Sequence, residues 1–168
     1  MGPDRLVTDR LVLRPMAPDD APALHRIFSD AETMRFFGDP HATPQQTRDW
    51  VAGSVNAPCS RTREFSLLRD GEVIGKAGIW SAPEIGFLLR RDQWRQGLMR
   101  EALTALLPHF FDTMTLPRIT ADADPRNLAC LHLLEGLGFR ETHRARHTIM
   151  IGGQWCDSVY LALPAPPA

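Results

Sequence analysis

The middle of the chain holds three strand-like runs in succession, "EFSLLRD", "EVIGKAGIW" and "EIGFLLR" (Glu84 to Arg90), the first two joined through Asp70-Gly71. That dipeptide tolerates the positive φ of a tight turn, so the first two runs pair as a hairpin and the third joins the same central group. A helix follows directly. Beyond Gly97, residues Met99, Ala102, Leu103, Leu106, Leu107, Phe110 and Phe111 recur at i, i+3, i+4 spacing, and one face of that helix has to be core. Pro108 falls inside the pattern, where it removes a backbone bond at about 3 kcal/mol, which predicts a kink or an early break.

The flanks supply further elements. "LVLRPM" (Leu11 to Met16) reads as a strand, and Asp19 or Asp20 is placed to cap a helix that buries Leu24, Ile27 and Phe28 while His25 and Arg26 turn away. A short helical or turn segment runs on to about Phe37. "TPQQ" offers a Thr43 hydroxyl cap, a proline at the first helical position and the Gln46 amide for a capping box, which predicts a helix from Pro44 to about Val55. Downstream, "RITADA" is a strand and "DPRN" a turn with Asn127 as N-cap. "LACLHLLEGLGF" is a short helix closed by Gly138, whose left-handed conformation would set Phe139 on Leu134. Two more strands, around Glu141 to Ile151 and Gln154 to Leu163, join through Gly152-Gly153, and the tail "PAPPA" reads as frayed.

Composition bounds the function. A length of 168 residues suits a single domain spanning 1–168, and 43% hydrophobic residues, 23% charged residues and a net charge of -1 describe a soluble globular protein with no general pull towards nucleic acid. No apolar run approaches the roughly 20 residues that cross a bilayer, and "MGPDRLVTDR" lacks the apolar core of a signal peptide, so the cytoplasm and no membrane partner are expected. Cys59, Cys130 and Cys156 form no Cys-x-x-Cys pair, which argues for reduced thiols and no metal site.

The stretch "QWRQGLMREAL" carries the chemistry. The first turn of a helix has unpaired N–H groups and a partial positive charge, and a glycine there lets an anionic ligand approach the backbone closely. Arg95 and Arg100 would add charge at the rim. Taken alone, the spacing fits a plain turn with solvated arginines equally well. A second strand-to-helix unit, "ADADPRNLACLHLLEGLGF", follows and is expected to lie beside the first.

Together these stretches resemble the GNAT N-acetyltransferase family. "WRQGLM" (Trp94 to Met99) is similar to its acetyl-CoA pyrophosphate loop, and "NLACLHLLEGLGF" (Asn127 to Phe139) to its downstream helix. "TDRLVLRPMAPDDAPAL", "EIGFLLRRDQWRQGLMREAL" and "DSVYLAL" resemble the branch that holds ribosomal-protein N-terminal acetyltransferases. The resemblance implies an α+β fold in an α/β/α arrangement, a twisted, mixed, mostly antiparallel sheet of about seven strands with flanking helices. Its fourth and fifth strands, here Glu84 to Arg90 and Arg118 to Ala123, would splay apart to admit acetyl-CoA. Backbone near Leu88 and Leu89 would pair with the pantetheine arm. The amides of Arg95, Gln96, Gly97, Leu98, Met99 and Arg100 would surround the pyrophosphate, and Asn127 and Cys130 would line the arm from the other side.

The same resemblance implies a primary-amine acceptor, either a protein N-terminus or a small molecule, and a monomer or homodimer; direct transfer is expected because no His is evidently placed to activate Cys130 as a nucleophile. Asp122 and Glu84 are the candidate bases, acting directly or through a water. The acceptor mouth would draw on Phe36, Phe37, Trp80 and Tyr160, residue types more often found in cores. The chain departs from the pattern at Trp94, at Met99, at Cys130, where serine is common, and at Leu134, where some relatives place a tyrosine acid. Cys130 could protonate the departing thiolate or merely pack beside the arm, and a helix N-terminus would lower its pKa. His132, on the same helix, reads as surface. The loss of serine and tyrosine keeps open an alternative: a non-catalytic acetyl-CoA-binding or partner-binding domain of the same fold.

Overall fold

Asp70 and Gly71 both take positive φ, 51° and 80°, and the turn they form joins β3 (Arg63–Arg69) to β4 (Glu72–Ser81) in the computed structural model. The structure describes residues 4–167; the first three residues of the polar start and the last residue of the tail lie outside it. Around this hairpin stand β1 (Leu6–Val7), β2 (Val12–Pro15), β5 (Glu84–Leu89), β6 (Arg118–Ala123), β7 (Arg140–Ile151) and β8 (Gln154–Pro164), in the spatial order β1-β2-β3-β4-β5-β6-β8-β7. The sheet has eight strands where about seven were expected. The addition is β1, whose two residues pair with Leu13 and Val12 and are too few to leave a periodic signal.

Among the described residues every neighbouring pair is antiparallel except β5 and β6, which run parallel and share one ladder pair, Glu84 with Thr120. Beyond that pair the ladder between the two strands does not continue. The helices divide between the faces. The side chains of α4 (Leu98–Met114) and α5 (Leu128–Gly136) share one core with Phe65, Ala77, Ile85, Ile119 and Leu161. Those of α1 (Ala21–Phe28) and α3 (Pro44–Asn56) form a second core on the other face with Leu88, joined by Met34 of the short α2 (Ala31–Met34).

Three local expectations need correction. The central helix neither breaks nor stops at Pro108 but runs on to Met114. Pro108 and Thr104, the residue whose carbonyl loses its partner, are both exposed, so water can satisfy that oxygen while Leu106, Leu107 and Phe110 stay buried. Asp20 sits at the N-cap of α1 but its carboxylate does not cap. It is buried, accepting from Arg14 at 2.7 and 2.8 Å, from Ala17 N–H at 2.8 Å and from Ser66 at 2.7 Å. His25 does not turn to solvent; its Nδ1 lies 2.8 Å from Thr47 Oγ1 and ties α1 to α3.

Candidate active site

The parity of hydrogen bonding along β5 decides which peptide groups the opening receives. Arg90 N–H bonds Ile74 C=O, and in an antiparallel ladder such pairs recur every second residue, so Leu88 and Gly86 direct their peptide groups to Lys76 and Gly78 on β4. The other side of the strand confirms this parity, because Thr120 N–H on β6 bonds Pro83 C=O. Peptide groups of Phe87 and Leu89 therefore face the gap where β6 has left. Of the two leucines expected here, Leu89 presents its backbone and Leu88 does not; Leu88 instead buries its side chain with α1 and α3. Leu89 C=O is already taken, by Trp94 Nε1 at 2.7 Å. Trp94, a departure from the motif, thus ties the loop back to the strand.

At the wide end of the gap the chain turns into α4. Gly97 is the N-cap, left-handed at φ 73°, and no side chain caps the helix. The first helical bond runs from Glu101 N–H to Gly97 C=O, which leaves the amides of Leu98, Met99 and Arg100 without helical partners. Arg95 is also left-handed, at φ 59°, a conformation that costs an L-residue roughly 1–2 kcal/mol. The loop is braced from outside. Arg10 bonds Gln96 C=O at 2.8 Å and Glu101 at 2.7 Å, and Arg69 holds the Gln93 and Gln96 side chains at 2.9 and 2.8 Å. Met99 sends its side chain into the core and keeps its amide at the helix start. Arg95 and Arg100 are both exposed, and Arg100 lies across Gly136 at the end of α5, where a Cβ would not fit. Uncapped amides, a glycine that admits close approach and flanking arginines fit a diphosphate.

At the narrow end, side chains from several strands converge on the face opposite α4. Glu84 accepts from Trp80 Nε1 at 3.0 Å, and Asp122 stands across from Tyr160 on β8. Burial pushes the Glu84 carboxyl up, the Trp80 bond pulls it down, and the nearby Asp122 charge raises it again, with a net rise. Asp122 is raised as well, by burial first and by Asp124, against a lowering bond from Ser158. Glu84, half-buried beside a second carboxylate, holds its proton more readily than a free one, whereas Asp122 keeps an exposed side. Trp80 and Phe37 flank Gly86, where a Cβ would lie 3.4 and 3.8 Å from their rings. Tyr160 stacks on His143 at 4.4 Å. Phe36 faces elsewhere, with Arg35 and Arg126 over its ring at 4.9 and 5.4 Å.

Cys130, in the first turn of α5, donates its amide to the Asn127 side chain at 3.3 Å, so Asn127 caps the helix. Its thiol pKa is not lowered by the helix terminus but pushed up to about 12 by burial. Desolvation of the charged form outweighs the helix field here. His132 is exposed. His143, Phe87 and the bracing arginines escaped the sequence reading, since their roles depend on strand register and long-range packing. A crevice of about 230 Å³ lined by Arg26, Asp30, Thr33, Arg90, Arg91 and Asp92 shares no residue with either end of this opening. Its charges pair with one another or with Glu72.

Residues 10–140 match the family model described as "Acetyltransferase (GNAT) domain". The chain is 31% identical to the [ribosomal protein uS5]-alanine N-acetyltransferase of Escherichia coli, over 96% of this chain and 91% of that protein. It is 24% identical to the spermidine N(1)-acetyltransferase of the same organism, over 90% and 84%. Among solved structures, an acetyltransferase from Salmonella typhimurium that modifies the N-terminal serine of a 50S ribosomal subunit protein superposes with a TM-score of 0.86. At 20% identity it covers 96% of this chain and 98% of that one, and it supports the fold.

Proposed function

From a chain that belongs to the GNAT acetyltransferase family and is an acetyl-CoA-dependent N-acetyltransferase, we propose an enzyme whose acceptor is the α-amine of a protein N-terminus, with the whole chain acting as one catalytic domain. The observation that carries the reading is the single β5–β6 ladder pair, with an uncapped helix start at the open end and neighbouring carboxylates at the closed end. Acetyl-CoA supplies an activated acyl thioester. The amides of Leu98, Met99 and Arg100 hold its diphosphate, with Arg95 at the rim. The peptide groups of Phe87 and Leu89 align the arm, with Asn127 and Cys130 lining its other side. Phe87 N–H, the first free donor past the contact, points to where carbonyl oxygen gains charge as the amine adds.

Glu84 takes the amine proton, directly or through a water, and Asp122 keeps Glu84 basic enough to do so. The magnitude of that task selects the acceptor. An α-amine with a pKa of about 7.7–8.0 lies within about one unit of neutrality at pH 7, whereas an alkyl amine near 10.4 needs about three units, roughly 4–5 kcal/mol. Carboxylates raised by partial burial suit the smaller task. The relative named as a [ribosomal protein uS5]-alanine N-acetyltransferase points the same way. Trp80, Phe37 and Tyr160 flank the incoming residue. Phe36, turned to the arginines, borders the mouth from farther out.

Direct transfer fits a thiol that stays protonated. Burial disfavours the Cys130 thiolate, which makes it a poor proton donor, and we read Cys130 as packing against the arm rather than as the acid. Thiol release would be followed with peptides starting Ala or Ser and with spermidine. The peptides are expected to turn over at least tenfold more efficiently; preference for spermidine would overturn the acceptor assignment.

A further inference from the structure

Among 19 basic residues Lys76 is the only lysine, and it lies in the middle of β4 with no exposed side-chain surface. Its ammonium has three protons and three acceptors: Glu64 Oε1 at 2.9 Å, Glu64 Oε2 at 3.2 Å and Gly86 C=O at 3.2 Å. Glu64 is buried too, and the Trp50 and Phe37 rings close over the ammonium at 5.2 and 5.5 Å. Stability gives little reason to keep such a pair, since buried ion pairs replaced by apolar residues of similar volume often lose nothing. Every other cation in the chain is an arginine, whose planar fork could not place one compact charge at this carbonyl.

The third acceptor is the informative one. Gly86 C=O and Phe87 N–H belong to the same peptide unit, and the parity of β5 turns the carbonyl towards β4 and the N–H into the opening. A cation on the oxygen draws electron density from the nitrogen and makes the N–H a stronger donor, as in any polarised hydrogen-bond chain. We propose that Lys76, held by Glu64, is a positioning and polarising residue that strengthens Phe87 N–H for the charge developing on the acetyl carbonyl oxygen. The ammonium touches no substrate. It acts through one peptide bond, in a dry site where its field is little screened.

The inference rests on the transferase reading above, and its test separates the two. Lys76→Met/Glu64→Leu removes both charges at similar volume. With an Ala-starting peptide, kcat should fall about tenfold, a fraction of what losing a whole oxyanion donor costs, while KM for acetyl-CoA stays within twofold. The carbonyl stretch of bound [1-13C]acetyl-CoA, measured without acceptor, should shift to lower frequency in the wild type than in water and move back in the variant. Equal kcat and an equal stretch in the folded variant would overturn the role of Lys76; a wild type that binds no acetyl-CoA would overturn the transferase reading instead. If the variant fails to fold, the wild type decides. Lysine labelled with 15N gives a single Nζ resonance, and its hydrogen-bond coupling to a 13C-labelled Gly86 carbonyl should be present. Absence of that coupling, in a protein whose Nζ signal is resolved, would overturn the proposal.

Discussion

The two ends of the β5–β6 opening are made of different material. At the wide end one contiguous stretch, Trp94 to Arg100, offers mostly backbone: a left-handed glycine and the free amides of a helix start. At the narrow end Trp80, Glu84, Asp122, Tyr160, His143 and Phe37 arrive as side chains from five strands and a loop. A backbone site tolerates side-chain change and recognises a group that every acyl-CoA shares. A side-chain site can be retuned one residue at a time, which is what a change of acceptor requires.

The largest effect is expected where backbone geometry fails. Gly97→Glu puts a left-handed strain of roughly 1–2 kcal/mol and a negative charge beside the proposed diphosphate, and should weaken acetyl-CoA binding at least a hundredfold by calorimetry. Affinity within threefold of wild type would remove the loop from the site. Next comes the proposed base. Glu84→Gln should lower kcat about a hundredfold, at the modest end for general-base catalysis, and leave acetyl-CoA affinity within twofold. A loss of affinity instead would blur the contrast between the ends.

Asp122→Asn is subtler, and its sign follows from the charges. The Asp122 carboxylate raises the Glu84 pKa, and as the proposed base Glu84 would work only when ionised. Neutralising Asp122 lets the Glu84 pKa fall, so the acid limb of kcat/KM should move to lower pH, with a severalfold drop in rate at neutral pH. A limb that stays in place would mean that the two carboxylates titrate independently. The smallest effect belongs to Cys130→Ala, which should keep kcat within threefold because the raised thiol is a poor acid. A loss of tenfold or more with unchanged KM would restore it as the proton donor.

The same contrast explains what the sequence disclosed. Gly97, the start of α4 and the Asp70-Gly71 hairpin are local signals, written in a few adjacent residues. So was the continuation of apolar spacing beyond Pro108, although a proline costs too much in isolation for local reasoning to trust it. That Phe87 and not Leu88 faces the gap depends on which β4 residue stands opposite, a matter of register. Cys130 shows a competition between two fields: its place at a helix start was legible, the burial that outweighs it was not. Lys76 left a sign, a lone lysine inside an otherwise apolar strand, but its partners Glu64 and Gly86 lie on separate strands.

The central claim, a backbone-built cofactor cleft between β5 and β6, is tested most directly by amide resonances of the 15N-labelled protein during titration with acetyl-CoA. The largest changes should fall on Phe87, Leu89, Leu98, Met99 and Arg100, with smaller ones at Cys130. Changes centred on Arg26, Asp30, Arg91 and Asp92, with Phe87 and Leu98 unmoved, would place the cofactor in the charged crevice and contradict the account.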